Sequence, residues 1–444
     1  MSMPLPDTRP GSAQDTREKA GGPVFWKIAG AGAAFQAGSA AVDSATIVAS
    51  LVNHLTGSVY AVGAASAVLR LGWLLPQLIV GFLAQRAERR MPFYIAGAFG
   101  RAGCLALIAL LLANGSETTG GWIVGGFFAL WTLYAFVSGI VAVPYNDIVG
   151  RSIRSGARSR MLAWRFFGGG VLALGVAAIV HRLLATQSLF TAYALIFALA
   201  SALMFLSSFS FVSAGEPPGP TDNRAMTPNF GQFLKGGLAV LRSDSRFRLF
   251  LYTQWLGGAT FMALPFYIVA ATGVGLGVKD VGILLGAQTA GSLASNALWG
   301  RIGDRFGKLA LLQAVGGLRF VPPLGALAIL ALVTGFTPAA TLVAFAVLFG
   351  AIGALGSGMT IGYLGYLMEI SPNDRRPAYS AYFNALASPA ALLPLAGAVI
   401  ADVASLRAVF VVAILAAALQ LVLYGQLSRW ERDQGSDPDT RVRK

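Results

Sequence analysis

The chain has 444 residues, of which 56% are hydrophobic and only 12% are charged, whereas a soluble domain carries about 25% charged residues. This composition excludes an ordinary soluble enzyme and predicts an integral membrane protein. The formal net charge is +14, but the basic residues cluster in short connections between apolar segments, so no nucleic-acid partner is expected. The single cysteine, Cys104, lies within an apolar segment and offers neither a disulfide framework nor a cysteine-based metal site.

Twelve apolar segments follow one another along the chain, and each is long enough to cross a hydrocarbon core of about 30 Å as a helix. They lie at residues 28–52, 59–84, 93–113, 122–143, 162–184, 189–212, 247–270, 281–299, 309–333, 339–367, 379–401 and 407–428. The pattern therefore predicts an all-α membrane protein with twelve transmembrane helices.

The polar segments between these helices divide the chain. The polar composition of residues 1–23 predicts a disordered cytoplasmic N-tail, and that of residues 429–444 predicts a cytoplasmic C-tail. The longest connection, residues 214–246, is rich in proline and glycine at its start and mildly amphipathic near its end. It predicts a cytoplasmic linker between an N-terminal six-helix bundle at 24–213 and a C-terminal six-helix bundle at 247–428.

The basic residues predict the orientation of the chain. Most of them lie in the two tails and in alternate connections, while the opposite connections hold only Arg182, Lys279 and Arg407. Because positive charge favours the cytoplasmic side of a membrane, we expect both termini in the cytoplasm. The prediction is a multi-pass protein of a bacterial inner membrane, monomeric and in contact with membrane lipids.

The two halves resemble each other when the sequence is shifted by 218 residues. At this shift the coinciding polar pairs are Gln36 with Gln254, Arg70 with Gln288, and Arg101 with Arg319. Two repeats of this kind imply a transport pathway between the halves.

The connection between the eighth and ninth helices carries a recognisable motif. Residues 300–308, Gly-Arg-Ile-Gly-Asp-Arg-Phe-Gly-Lys, resemble the signature Gly-x-Leu-x-Asp-Arg-x-Gly-Arg/Lys of the major facilitator superfamily. The resemblance implies two pseudo-symmetric six-helix bundles and a secondary transporter that works by alternating access. It also implies that Asp304 and Arg305 lock the cytoplasmic side. In the first-half copy of the motif, Gln85 replaces the aspartate and Arg86 keeps the charge, so these two are the matching lock candidates.

Two ionisable residues lie at the same predicted depth on the first two helices. At about 1.5 Å per residue, Asp43 and Arg70 are about 14 and 16 Å from the outer ends of their helices. Because a charge inside a membrane costs about 2.5 to 3.5 kcal/mol on insertion scales, we expect a direct ion pair. Three roles are open: proton coupling at Asp43 with Arg70 as its partner, recognition of an anionic substrate group by Arg70, or a permanent structural bridge.

Two further arginines, Arg101 and Arg319, lie inside the third helix of each half. The resemblance places these helices at the periphery of the bundles. We expect a structural role for both, with Asp147 as the partner of Arg101 and Glu369 as the partner of Arg319.

The resemblance also implies that helices 1, 4, 7 and 10 line a central cavity. Together with Gln288, the repeat counterpart of Arg70, the candidate substrate-binding residues are therefore Arg70, Gln36, Tyr134, Gln254, Trp255, Gln288 and Tyr363. Aromatic side chains with one polar group suit an amphipathic organic ligand better than a hydrated ion.

These features predict a secondary active transporter of a small organic solute, with an anionic solute and proton coupling as the specific hypotheses. No cofactor, metal or catalytic constellation is expected, because the two histidines, His54 and His181, lack metal-ligand company and no nucleotide-binding glycine motif is present. Two alternatives are open: a broad-specificity exporter of drugs or lipids, and a non-transporting membrane receptor or assembly factor with the same fold.

Overall fold

The computed structural model describes residues 21–116, 120–218, 230–371 and 376–436, and the regular structure in these ranges is helical. The helices of the N-terminal half are α1 (Pro23–Ala41), α2 (Ile47–Thr56), α3 (Val59–Arg86), α4 (Met91–Ala113), α5 (Gly120–Ser152), α6 (Ser155–Thr186) and α7 (Leu189–Val212). Those of the linker and the C-terminal half are α8 (Phe230–Ser243), α9 (Ser245–Phe261), α10 (Leu264–Gly273), α11 (Val281–Arg305), α12 (Lys308–Leu318), α13 (Val321–Leu332), α14 (Pro338–Ile370), α15 (Arg376–Ala387), α16 (Leu393–Val403) and α17 (Leu406–Ser436).

The chain is an all-α, multi-pass membrane protein. Within the described ranges, ten helical segments are long and apolar enough to cross a membrane. The two predicted spans outside this set are the first, which is divided into α1 and α2, and the eighth, α11, which carries several polar residues. Both of these spans face the interface between the halves.

Four spans that the sequence predicts as continuous helices are interrupted, and in the eleventh a 3-10 turn at Ser388–Leu392 separates α15 from α16. The first span breaks between Ala41 and Ile47, and the seventh breaks after Phe261. The ninth breaks at Arg319 and Phe320. Prolines occupy the first turn of the helices that restart in the seventh and ninth spans, where a missing backbone N–H removes no helical hydrogen bond.

We call the side of the molecule where α1 begins and α17 ends the terminal side, and the opposite side the distal side. Three hydrogen bonds between described residues join the halves at the distal side. Their partners are Asn53 and Thr272 (3.4 Å), Tyr60 and Asp402 (2.8 Å), and His181 with the Lys279 carbonyl (2.9 Å). Since each bond links one half to the other, the distal side is closed in this conformation.

At the terminal side, the chain that leaves α7 folds back onto its own half. The turn uses Gly215 at φ +80°, a region that glycine adopts without steric cost. Beyond it, the Glu216 carboxylate accepts the backbone N–H groups of Arg90 (2.8 Å) and Met91 (2.9 Å) at the start of α4 and pairs with Arg151 (2.8 Å). We call this contact the Glu216 clamp.

The predicted tails lie partly outside the described residues. Residues 1–20 and 437–444 belong to that part of the chain, whereas residues 429–436 continue α17. In these last turns Glu431 pairs with Arg246 and accepts the Tyr366 hydroxyl at 2.6 Å. The C-terminal half is thereby held by a carboxylate that follows its last span, as the N-terminal half is held by Glu216.

Candidate functional site

A cavity of about 240 Å³ lies between the two halves, bounded by α1 and α6 on one side and by α11 and α14 on the other. Its polar wall comprises Gln36, Ser39, Asp43, Gln288, Thr289, Ser292, Asn296 and Ser357. No group of three His, Cys, Asp or Glu side chains among the described residues could hold a metal ion. The amide and hydroxyl groups of the polar wall, with one carboxylate in the described lining, make the cavity a site for hydrogen bonding.

Asp43 lies at the break of the first span, where it closes the start of α2. Its Oδ1 accepts hydrogen bonds from the backbone N–H groups of Ala45 (3.1 Å) and Thr46 (2.9 Å) and from the Thr46 hydroxyl (2.8 Å). The side-chain amide of Gln288, from the other half, faces the same carboxylate. Asp43 therefore joins a helix break in one half to a polar side chain in the other.

The opposite wall depends on a close approach of α11 and α14. A Cβ on Gly353 would lie 1.8 Å from the Gln288 carbonyl oxygen, so only glycine fits there. Ser357, one turn further along α14, donates a hydrogen bond to Asn296 Oδ1 at 2.8 Å. The cavity-facing residues Gln288, Ser292 and Asn296 are spaced four apart and so share one face of α11.

Arg70 points away from Asp43, and the expected ion pair is not formed. Its guanidinium carbon lies 5.6 Å from the ring centre of Phe261 at the break of the seventh span. The expectation was wrong because the predicted depth of a residue does not give its direction around the helix axis. Asp43 faces α11, whereas Arg70 faces the end of α9.

These two contacts are related by the repeat. Asp43 and Phe261 are 218 residues apart, as are Arg70 and Gln288. In each contact, the same two repeat positions therefore meet across the halves. Asp43 of the first half meets Gln288 of the second, and Phe261, the counterpart of Asp43, meets Arg70, the counterpart of Gln288. The two positions are equivalent, but one contact pairs a carboxylate with an amide and the other pairs a guanidinium with an aromatic ring.

The partners expected for Arg101 and Arg319 are also wrong. Arg101 is only 4% exposed and lies over the Phe35 ring at 4.4 Å, whereas Asp147 pairs with Arg151 at 2.7 Å. Arg101 is ten residues into α4, about 15 Å from its terminal end, while Asp147 lies near the terminal end of α5. Depth along the spans therefore separates the expected partners.

Arg319 is fully buried in the C-terminal half, at the break of the ninth span. Its guanidinium carbon lies 4.8 Å from the ring centre of Phe261, and Nη2 contacts the Met359 sulfur. Arg319 forms no ion pair with Glu369, which lies at the terminal end of α14 among charges that include Lys308 and Arg246. Like Arg101, it is a buried cation with an aromatic neighbour.

The other candidate substrate residues are divided between the cavity and other parts of the two halves. Gln36 and Gln288 line the cavity. Tyr134 is stacked on Trp131 inside the N-terminal half, with ring centres 5.0 Å apart. Four further candidates lie outside the lining of the cavity. Gln254 lies near the Tyr424 hydroxyl, and Arg70 faces Phe261. Trp255 Nε1 donates to the Leu386 carbonyl (3.0 Å), and the Tyr363 hydroxyl donates to Asn384 (2.6 Å).

The lock candidates of the C-terminal half are exposed in this conformation. The Asp304 side chain is 83% exposed and pairs only with Lys308 of its own motif, at 3.3 Å, among described residues. Arg305 lies over the neighbouring Phe306 ring. Gln85 and Arg86 lie at the end of α3, and their side chains are outside the described part of the structure. A lock role for these four residues stays a prediction.

Three polar side chains inside the helices are absent from the site residues that the sequence predicts. Ser292 and Asn296 were detectable from their four-residue spacing after Gln288, a polar face in an otherwise apolar helix. Arg165 was counted among the basic residues that fix orientation, but it lies ten residues into α6, where Nη1 bonds to the Tyr145 hydroxyl at 2.9 Å. Because α6 begins at Ser155, before the apolar segment at 162–184, hydropathy does not show how far inside the helix Arg165 lies.

Comparison with solved structures shows the same fold in several transporters. The nucleoside transporter NupG matches with a TM-score of 0.62 and 12% identity, over 91% of this chain and 98% of that one. An auto inhibited POT family peptide transporter matches with a TM-score of 0.64 and 13% identity, over 92% and 96%. A bacterial homologue of the iron transporter ferroportin in an inward-facing state matches with a TM-score of 0.63 and 13% identity, over 91% and 98%. At these identities the likeness shows the fold alone.

Sequence comparison adds a distant relative and a family. The uncharacterized protein Rv2209 of Mycobacterium tuberculosis is 23% identical over 295 residues, which are 65% of this chain and 55% of the relative. The chain thus spans about half the length of the curated relatives it matches. The family profile described as Major Facilitator Superfamily matches residues 28–327 and 278–444. The signature at 300–308, the helical fold and this match together show that the chain belongs to the major facilitator superfamily.

Proposed function

We propose that this protein is a secondary active transporter that carries a small organic solute through the cavity between its halves and couples this movement to protons through Asp43. The observation that supports the proposal is the position of Asp43. It lines the cavity, closes a helix break in one half and faces Gln288 of the other. A protonation change there acts at once on the solute site, on the first span and on the contact between the halves.

The cavity suits a small polar solute. Its volume of about 240 Å³ and its amide and hydroxyl groups favour a ligand that exchanges several hydrogen bonds with the protein. Gln36 and Gln288 present both donors and acceptors from opposite halves. A solute held by both side chains would draw the halves together on the terminal side.

The coupling step follows from the hydrogen bonds of Asp43. When ionised, the carboxylate accepts two backbone N–H groups and a hydroxyl at the start of α2. Protonation removes the charge that strengthens these bonds and so weakens the restart of the first span. The proton thereby biases one of the two conformations of the transporter, which is the requirement for coupling.

Alternation between two conformations is part of the same proposal. The distal side is closed by the bonds of Asn53, Tyr60 and His181. In the alternate conformation these bonds break, and Asp304 and Arg305, with Gln85 and Arg86 of the first-half copy, close the terminal side. We place the terminal side in the cytoplasm of a bacterial cell because most basic connections lie there.

The experiment is transport in proteoliposomes. A thermal-shift screen of organic anions, sugars and cationic drugs identifies a bound solute, because a ligand of the folded state raises apparent stability. Radiolabelled uptake of that solute is then measured with and without an inward proton gradient. Asp43→Asn should abolish accumulation driven by the gradient while leaving counterflow exchange measurable. Asp244→Asn, which removes a carboxylate outside the cavity and keeps a side-chain cap at the start of α9, should keep both activities. Unaltered accumulation by Asp43→Asn would contradict the proposal.

A further inference from the structure

The middle of the spans holds more positive than negative charge. Among the described residues, Arg70, Arg101, Arg165 and Arg319 lie well inside the helices, and Asp43 is the one carboxylate at comparable depth. Asp43 is engaged at the start of α2. Buried cations without a counter-ion are costly, and in membrane proteins they mark the paths of ligands and ions.

Arg319 is the extreme case. It is 0% exposed, and its Nε and Nη1 atoms have no hydrogen-bond partner. Its guanidinium lies against Gly257 of α9, where a Cβ would be only 2.8 Å from Nη1. Arginine carries five donors that match the oxygens of carboxylates and phosphates, so a guanidinium with two idle nitrogens lacks an oxyanion.

Arg70 brings a second guanidinium to the same place from the other half. Both guanidinium carbons lie over the ring of Phe261, at 5.6 Å for Arg70 and 4.8 Å for Arg319. A cation and an aromatic face attract each other only weakly, and two like charges beside one ring repel each other. The ring therefore covers the two cations without neutralising them.

The polar side chains nearby add donors and no negative charge. Gln254, one turn before Gly257 on α9, has an amide nitrogen without a hydrogen bond. Gln420 donates to the Thr253 carbonyl at 2.7 Å, and its amide oxygen is an unused acceptor. One neutral amide oxygen cannot balance two guanidinium groups, so the missing charge has to come from a ligand.

We propose that Arg70 and Arg319 bind the oxyanion of the transported solute, and that this solute is a small organic dianion, a dicarboxylate or a phosphate monoester. The inference rests on the proposed transport function and names its substrate class. Phe261 covers the site when it is empty. It is the last residue of α9, directly before the break of the seventh span, so its ring can move away without disrupting a continuous helix. A bound oxyanion then links Arg70 of one half to Arg319 of the other.

The test is ligand binding to the purified full chain, which requires no transport. Thermal unfolding is followed with succinate, with inorganic phosphate and with the uncharged 1,4-butanediol. Succinate or phosphate should raise Tm and the diol should not, and the preferred anion distinguishes the two solute types. Arg319→Gln and Arg70→Gln should each weaken anion binding about 30-fold or more, the usual effect of removing one member of a buried charge pair.

Arg101→Gln is the matched control, because Arg101 is the repeat counterpart of Arg319, is also buried and lies over Phe35 instead. It should leave the affinity for the anion within about twofold, well below the change at the two bound arginines. Without ligand, Arg319→Gln should raise Tm, since it removes an uncompensated buried charge, whereas a purely structural arginine would lower Tm when replaced. A variant Arg319→Gln with lower Tm and unchanged anion binding would overturn the inference, as would a native protein stabilised by none of the anions.

The two proposals fail in distinguishable ways. If anions bind through Arg70 and Arg319 but no solute accumulates in proteoliposomes, the transport function fails and the oxyanion site stands. If an uncharged solute accumulates with the proton gradient and no anion shifts Tm, the oxyanion site fails and the transport function stands.

Discussion

The two repeat-related contacts between the halves differ in a way that explains the site. At the first, Asp43 faces Gln288 in an open polar cavity. At the second, Phe261 faces Arg70 and covers Arg319. The repeat has kept the geometry of both contacts while their chemistry has diverged. Under the two proposals, one contact serves the proton and the other the anion, so the two ligands of a coupled transporter would be handled by equivalent positions of the two halves.

Both contacts occur where a span is interrupted. The first span breaks around Asp43 and the seventh directly after Phe261. A break lets the outer part of a span tilt relative to the inner part, because the regular ladder of helical hydrogen bonds is interrupted there. At Ala263, for example, the backbone N–H reaches only the Thr260 carbonyl, at 3.4 Å. Events at either contact can therefore change the position of helix segments that belong to the distal closure, which includes Asn53 on α2 and Thr272 on α10.

The most damaging test of the comparison disrupts the polar contact through the packing of α11 against α14. Gly353→Ala places a methyl group 1.8 Å from the Gln288 carbonyl oxygen, so α11 and α14 must separate and carry Gln288 away from Asp43. We expect a loss of about 3 kcal/mol or more in the free energy of unfolding, at the upper end for overpacked sites. Thermal unfolding in detergent measures this loss.

Gly356→Ala is the control for that change. Gly356 lines the same cavity, but a Cβ there would meet no atom within 4 Å. The variant should unfold like the native protein. Equal stability of the two alanine variants would show that α11 and α14 do not approach as closely as the structure indicates.

Particular residues show which features of the fold and of the site are predictable from the sequence. Hydropathy placed the spans, and the motif at 300–308 identified the superfamily, because both depend only on order along the chain. The sequence singles out Asp43, Gln36 and Gln288 as polar residues in spans, and all three line the cavity between the halves. Their partners were not predictable in this way.

The failures share one physical cause. Counting residues gives the depth of Arg70 in its span but not the direction in which its side chain leaves the helix, so an equal depth to Asp43 was mistaken for a contact. The same applies to Arg101 and Arg319, whose neighbours are aromatic rings. Apolar partners of an arginine leave no charge pattern in the sequence from which they could be recognised.

A second test makes the two contacts alike. Gln288→Arg restores at position 288 the residue found at its repeat counterpart, Arg70, and places a guanidinium beside Asp43. A fixed positive charge stabilises the ionised carboxylate by about 1.4 kcal/mol or more, so the carboxylate binds a proton about tenfold less tightly or weaker still. Accumulation driven by a proton gradient in proteoliposomes should fall about tenfold or more.

Gln288→Asn keeps the amide without a charge and should retain most of the accumulation. If Gln288→Arg accumulates solute as well as the native protein does, the carboxylate of Asp43 is not the coupling group, and the division of labour between the two contacts fails with it.

The smallest expected effect concerns the terminal ends, where the halves differ again: the Glu216 clamp is largely buried, whereas Asp304 is exposed. Burial alone would raise the pKa of Glu216, but the hydrogen bonds from Arg90, Arg151 and Met91 outweigh it and hold the pKa below its usual value. A lowered folded pKa stabilises the protein above the unfolded pKa of about 4.3, and this stabilisation is lost as the pH falls through the folded pKa.

Glu216→Gln should therefore cost about 1 to 2 kcal/mol near pH 7, and the difference from the native protein should vanish in acid. Thermal unfolding from about pH 7 to pH 3 measures the change, and Asp304→Asn, which breaks only an exposed pair, should cost less than about 0.5 kcal/mol. Equal losses for the two variants would mean that the carboxylate after the sixth span holds its half no more firmly than a surface charge does.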